Sequence, residues 1–289
     1  MTRLARLAFV LALLLPAWAR AGDVQLVTFQ SETLGRPYKA SVYLPDGYAA
    51  SNLAYPVLYM LHGANGDEVE WMTKGKLPQT LDALISSGQI PPMIVVAPGH
   101  TYGWWIDGNK DKGETALLTE LFPLIEHSFR TIAERQGRLI GGLSAGGFGT
   151  VNLVFKHPEM FAAAAALSPA IYTPLPPVTS SARKDPPFQK DGAFDEATWT
   201  RLSWTNWFDH YKNSGFVVPL YINSGDHDRF DIAWQAAAFY QKLREIQPKQ
   251  TAFRVVDGDH TWEVWSTTAP EAIRFMAAYV APPRPVSTP

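Results

Sequence analysis

One stretch restricts the fold more than any other. Residues 139–147 read Leu-Ile-Gly-Gly-Leu-Ser-Ala-Gly-Gly, a short apolar strand running into Gly-x-Ser-x-Gly, with a helix-compatible run following at 150–157. A strand that must reverse at once into a helix passes through a strained backbone conformation at the serine, which leaves the Ser144 hydroxyl exposed at the turn. Gly142 and Gly146 flank it because side chains there would collide across the turn. The helix behind the serine aims its first N–H groups at any negative charge that develops nearby. The bare pattern also arises by chance. Its weight therefore depends on whether the rest of the chain supplies the other parts in a workable order.

The surrounding pattern is that of alternating strands and helices. Residues 24–30 and 38–44 alternate in polarity and read as an antiparallel pair. Residues 56–61, 93–97, 138–143 and 161–167 are apolar runs of the length expected for strands buried on both faces. Residues 219–223 and 252–256 read as two more strands. Helical spacing is found at 77–87, 114–129, 231–246 and 269–280. This order predicts a mostly parallel, twisted sheet with helices on both faces, and reactive groups at the carboxyl ends of the strands. Residues 172–212 interrupt the alternation with a Pro-, Asp- and Lys-rich stretch and then Trp199, Trp204 and Trp207. They are expected to form a small cap-like insertion over the strand ends. Residues 282–289 are expected to be a disordered tail, leaving 22–281 as a single catalytic-sized domain.

The extreme N-terminus reads as an export signal. Arg3 and Arg6 precede an apolar run at 7–15, and Ala19-Arg20-Ala21 has the small residues a signal peptidase requires, so cleavage is expected after residue 21. The apolar run is shorter than the ~20 residues of a membrane-spanning helix. The expected location is the periplasm or the medium, without a stable membrane span. Cysteine is absent, which rules out disulfides, a thiolate nucleophile and cysteine-ligated metal. Formal charge is near balance at −2, with no basic stripe that would suit nucleic acid. The 10 Trp and 11 Tyr are enough to line a pocket for a phenolic or a sugar.

A serine nucleophile needs a base, an acid and two oxyanion donors. His260 follows the strand 252–256 in a loop at a carboxyl strand end, where its imidazole can meet Ser144. The loop after 219–223 reads Ser-Gly-Asp-His-Asp-Arg-Phe (224–230) and offers Asp226 and Asp228. Asp228 lies deeper in the loop, where the next helix begins, and is the favoured acid; Asp226 is the alternative and suits a turn-former. The first oxyanion donor is the Ala145 N–H. The strand 57–61 ends in His62-Gly63-Ala64, so the Ala64 N–H is the second. Trp104, Trp105 and Trp262 are candidates for flanking the substrate. The order Ser144, Asp228, His260 is that of the α/β-hydrolase fold. The chemistry needs no metal and no organic cofactor.

These motifs together resemble the esterase D-like family of α/β-hydrolases. The resemblance is carried by Leu61-His62-Gly63 with Trp71 downstream, by 142–147, by His157-Pro158-x-x-Phe161 and by Ser168-Pro169-Ala170. It is completed by Gly225-x-x-Asp228 and Gly258-x-His260. Its members include feruloyl and acetyl-xylan esterases, S-formylglutathione hydrolases, enterochelin esterases and the antigen 85 mycolyltransferases. The resemblance implies a Ser144–Asp228–His260 triad with the Ala64 and Ala145 amides as oxyanion donors. Its Gly-x-x-Asp spacing selects Asp228. It implies hydrolysis of a small-molecule or carbohydrate-linked ester, feruloyl- or acetyl-esterase-like. Acyl transfer to a sugar by the same triad is the first alternative, and a non-catalytic binding module on the same fold is the second. S-formylglutathione is disfavoured for an exported enzyme, which would not meet that cytosolic substrate. The 172–212 segment has no counterpart in the family pattern.

Overall fold

The computed structural model describes residues 21–286. Residues 1–20, with most of the expected signal, and 287–289 lie outside the described residues. Eight strands form one sheet: β1 (Asp23–Ser31), β2 (Arg36–Leu44), β3 (Val57–Leu61), β4 (Ile94–Pro98), β5 (Arg138–Leu143), β6 (Ala163–Leu167), β7 (Leu220–Gly225) and β8 (Thr251–Val256). Their spatial order is β1-β2-β4-β3-β5-β6-β7-β8. β2 runs antiparallel to both its neighbours, and every pairing from β4 to β8 is parallel. This is the α/β-hydrolase topology expected from the sequence.

The burial of the strands explains their composition. Every residue of β3 to β7 is buried, whereas the edge strand β1 is largely exposed and the edge strand β8 mostly half-buried. Strands covered on both faces read as continuous apolar runs, because successive side chains point to opposite faces and both faces must be apolar. Along β3, Val57, Tyr59 and Leu61 join one core cluster, while Leu58 and Met60 join the other. The first cluster packs under α2 (residues 113–128), α3 (Ala145–Lys156) and α6 (Ile232–Arg244); the second packs under α1 (Leu77–Ser86) and α7 (Trp262–Ala277).

Three elements differ from the sequence reading. The helix expected at 114–129 contains a π turn at Leu117–Leu121, just before Pro123. Proline has no N–H and its ring crowds the carbonyl four residues back, so the wider turn relieves that clash. α7 begins at Trp262 rather than 269 and carries Pro270 in its interior. An interior proline costs about 3 kcal/mol. Burying Val264, Trp265 and Ala269 against the sheet returns more, at roughly 1.5–3 kcal/mol for each large side chain. The C-terminal segment is ordered through Val286: Arg284–Pro285 pair with Leu53–Ala54, and the Arg284 guanidinium donates to Glu134 at 2.8 Å. Within the expected tail, Arg284 and Pro285 are therefore held against the domain.

The 172–212 insertion is a packed cap. It holds short turns, the two-residue strands Gln189–Lys190 and Ala193–Phe194, α4 (Glu196–Leu202) and α5 (Phe208–Asn213). Asp195 caps α4 by accepting the Thr198 N–H at 2.8 Å. Trp199 packs on Phe148, and Tyr211 stacks on Phe155 with ring centroids 4.6 Å apart. Both partners belong to α3, the helix behind Ser144, so the cap is anchored to the element that carries the serine. No helix among the described residues is long and apolar enough to cross a membrane.

Candidate active site

Ser144 joins β5 to α3 with φ 53° and ψ −117°, a conformation that costs a non-glycine residue of order 1–3 kcal/mol. The surroundings fix it. The Ser144 N–H donates to Leu167 O at 2.9 Å, and Ser144 O accepts from Ala170 N–H at 2.9 Å. A Cβ on Gly146 would lie 2.5 Å from both Leu61 O and His62 O. The ends of β3, β5 and β6 thus meet around the serine at separations only glycine permits.

His260 enters from the loop after β8. Its Nε2 lies 2.8 Å from Ser144 Oγ and its Nδ1 lies 2.7 Å from Asp228 Oδ2. Asp228 is 5% exposed, and its other oxygen accepts the Phe230 N–H at 3.0 Å. Asp226 is elsewhere: its exposed carboxylate accepts the Gly258 N–H at 3.0 Å and ties the two loops together. Asp226 is the turn-former and Asp228 the acid in contact with the imidazole. A buried carboxylate on Nδ1 holds the ring with Nε2 free to accept a proton from the hydroxyl, and stabilises the imidazolium that results.

Of the two expected oxyanion donors, Ala64 lines the cavity over Ser144 and Ala145 opens α3 directly after it. Neither the Ala64 nor the Ala145 N–H donates to a backbone or side-chain acceptor among the described residues. The orientation of the Ala64 amide has an identifiable cause. His62 is buried, and its Nε2 accepts the His100 N–H at 2.9 Å. Nε2 therefore carries no proton, and Nδ1–H donates to Gly63 O at 2.7 Å. A trans peptide points its N–H away from its C=O, so pinning the Gly63 carbonyl turns the Ala64 N–H outward. Burial holds His62 neutral by lowering its pKa to about 4. Gly63 allows the approach, since a Cβ there would lie 2.8 Å from Leu143 Cδ1.

A cavity of about 460 Å³ opens over Ser144 and His260. Trp104 and Trp262, two of the candidate substrate-flanking rings, line it. Trp105 does not. Its backbone turns at φ 59°, the ring is fully buried, and Nε1–H donates to His62 O at 3.0 Å. It supports the His62 loop from behind and is not among the residues that line the cavity. Trp104 Nε1–H donates to Asp185 at 2.6 Å, which fixes the cap against the cavity wall.

Several residues were not anticipated from the sequence. Phe230 and Trp265 meet the His260 ring edge-on from two sides, each with centroids 4.9 Å away. Asp259 accepts the Arg229 and His260 N–H groups at 2.9 and 2.6 Å, and Arg229 reaches back to Asp259 and to His260 O. This clamp joins the loop carrying Asp228 to the loop carrying His260. Adjacency to Asp228 was the signal available for Phe230 and Arg229. Tyr172, Ser180 and Lys184 line the cavity from the cap, and nothing in their local sequence marks them.

Comparison with known proteins places the chain in one family. Residues 31–276 match the Esterase family model, described as "Putative esterase". An endo-1,4-beta-xylanase/feruloyl esterase of Xylanibacter ruminicola is 39% identical over 162 residues, 53% of this chain. The chain spans only about a fifth of that relative's length, 22%. An S-formylglutathione hydrolase of Paracoccus denitrificans is 26% identical over 266 residues, which cover 86% of this chain and 90% of that one. Among solved structures, a ferulic acid esterase superposes with a TM-score of 0.78 at 29% identity, covering 90% of this chain and 98% of its own.

Proposed function

The chain belongs to the Esterase family, and from that premise we propose that it is a serine carboxylesterase acting through Ser144, His260 and Asp228. One observation carries the reading: the unbroken hydrogen-bond chain from Ser144 Oγ through His260 to Asp228, built on a serine held at positive φ. His260 Nε2 takes the hydroxyl proton as Oγ attacks the ester carbonyl carbon. The carbonyl oxygen becomes an oxyanion between the Ala64 and Ala145 N–H groups. The intermediate collapses as His260 protonates the departing alcohol, leaving an acyl group on Oγ. Water, deprotonated by the same imidazole, then releases the acid and restores the serine. Asp228 stabilises the imidazolium in both halves.

For the acyl group we propose a hydroxycinnamoyl type. The cavity offers flat aromatic walls at Trp104, Tyr172, Phe230 and Trp262 and more room than an acetyl group fills. The likeness to a ferulic acid esterase supports the same choice. The proposal includes export directed by the N-terminal Arg3/Arg6 and apolar segment, which N-terminal sequencing of secreted material tests. The test of function is turnover of a panel of hydroxycinnamoyl, acetyl and p-nitrophenyl esters by wild type and Ser144→Ala. The expected result is preference for the hydroxycinnamoyl esters and loss of all turnover in a folded variant. Undiminished turnover in that variant contradicts the assignment. An acyl group diverted quantitatively to an added sugar identifies a transferase instead.

A further inference from the structure

The turn that holds the Ser144 backbone also reaches the base. Residues 167–170 lead out of β6: Leu167 O accepts the Ser144 N–H and the Ala170 N–H donates to Ser144 O, both at 2.9 Å. Between them sits Ser168, fully buried and at φ 38°. Its N–H donates to Asn223 O at 2.9 Å and to Asn223 Oδ1 at 3.3 Å, which ties the turn to β7. Its Oγ accepts the Trp265 Nε1–H at 3.2 Å. Trp265 lies in the first turn of α7 and is 6% exposed. Its ring stands at 90° to that of His260, with centroids 4.9 Å apart. Contacts thus run from the backbone of the serine through Ser168 and Trp265 to the imidazole, by a route separate from the Ser144–His260–Asp228 hydrogen bonds.

The imidazole needs such a support. Its Nδ1 bond to Asp228 fixes one ring atom but leaves the ring free to swing about that contact, carrying Nε2 away from Ser144 Oγ. Walls on two sides remove that freedom. Phe230 is one, and its own N–H is bound to Asp228. Trp265 is the other. Perpendicular ring pairs are favoured by their quadrupoles, but a wall fixes orientation only if it is itself held. Trp265 is held twice. Ser168 takes its indole N–H, and Trp262 packs on it at 88° with centroids 5.4 Å apart. Trp262 meets Trp71 at 86°, and Trp71 donates its Nε1–H to Leu61 O at 3.1 Å. The wall is therefore tied to the ends of β3 and β6, the two strands that flank the strand leading into Ser144.

We propose that Trp265, anchored by Ser168, is a positioning residue that sets the rotation of the His260 imidazole and keeps Nε2 on Ser144 Oγ. Its kinetic consequence rests on the esterase reading; the position of the ring does not. Trp265 also lines the cavity, so the experiment must separate a support for the base from a wall for the acyl group. Wild type, Trp265→Leu, Trp265→Phe and Ser168→Ala are assayed on methyl ferulate and on p-nitrophenyl acetate. Trp265→Leu is expected to lower kcat by about 10–100-fold, the scale of a reacting group misplaced by about 1 Å, with KM within about twofold and the same factor on both esters. Trp265→Phe keeps a ring against the imidazole and is expected to recover kcat to within about fivefold of wild type. Ser168→Ala removes only the anchor and is expected to lower kcat by about three- to tenfold. A loss confined to KM, or to methyl ferulate, assigns Trp265 to substrate binding and overturns the proposal, as does wild-type kcat in folded Trp265→Leu. Crystal structures of the same variants read the ring independently of activity. A turned or split His260 side chain in Trp265→Leu supports the role; Nε2 still in contact with Ser144 Oγ overturns it. Should Trp265→Leu not fold, the same comparisons on Ser168→Ala decide. If wild type hydrolyses neither ester, the esterase reading fails and the crystal structures alone decide the role of Trp265.

Discussion

Replacing His62 with leucine separates the oxyanion amide from the residue that aims it. In the folded chain the ring makes two hydrogen bonds, 2.7 Å to Gly63 O and 2.9 Å from the His100 N–H. Leucine keeps the apolar contact with Trp105 but makes neither bond. The His100 N–H is then buried without a partner, which costs about 1–3 kcal/mol of stability. The Gly63–Ala64 peptide keeps only the weaker restraint of the Gly66 N–H on Gly63 O at 3.2 Å, so its N–H samples orientations away from the oxyanion. Complete loss of one such donor costs about 10²–10³ in kcat. A donor that is present but badly aimed is expected to cost less, about 10–100-fold. The loss belongs in kcat rather than KM, because the bond matters most once negative charge has developed. Steady-state kinetics on methyl ferulate read the effect, and urea unfolding with an unchanged m-value shows that the variant is native. A folded His62→Leu protein with wild-type kcat refutes the reasoning that His62 orients the Ala64 amide.

Other outcomes follow from the same geometry. Asp228→Asn is expected to lower kcat by about 10⁴-fold, the scale seen when a triad acid is neutralised, whereas Asp226→Asn keeps activity within a few-fold and loosens the loop pairing with Gly258; equal losses in steady-state assays contradict the assignment of the acid. His62 is depressed to about 4 from an unfolded value of 6.5, so the unfolded chain binds its proton first as pH falls. Above pH 6.5 neither state is protonated and nothing is lost; between 6.5 and 4 wild type loses up to about 3 kcal/mol through this group. Urea denaturation at stepped pH should show a shallower decline for His62→Leu, and parallel curves count against a buried neutral His62. Gly146→Ala places a methyl group 2.5 Å from two backbone oxygens and is expected to destabilise by about 3 kcal/mol; a melting temperature equal to wild type removes the close approach as the reason for that glycine.

The sequence was most legible where one physical demand acts alone. β3, β4 and β5 are buried on both faces, so their apolar runs need no context to be read. Ser144 was visible because the turn that exposes it needs glycine locally, and His260 because it follows a strand near the chain's end. The rest depends on tertiary contacts. Asp226 and Asp228 are separated only by which carboxylate the Gly258 N–H captures and which points inward to Nδ1. Trp104 and Trp105 are neighbours of the same type, yet a positive-φ turn at Trp105 sends one to the cavity and the other beneath His62. Pro270 reads as a helix boundary, but the burial of Val264 and Trp265 carries α7 through it. The cap is specified by aromatic side chains that meet α3 across long sequence separations, which no local pattern shows.

The central claim is that Ser144 is the nucleophile, and covalent labelling tests it most directly. The protein is titrated with a fluorophosphonate while esterase activity is followed, and the adduct is located by peptide mass spectrometry. The account predicts one adduct per chain, on Ser144, with activity falling in proportion to labelling. An adduct on another residue, or a fully labelled Ser144 with activity intact, contradicts it.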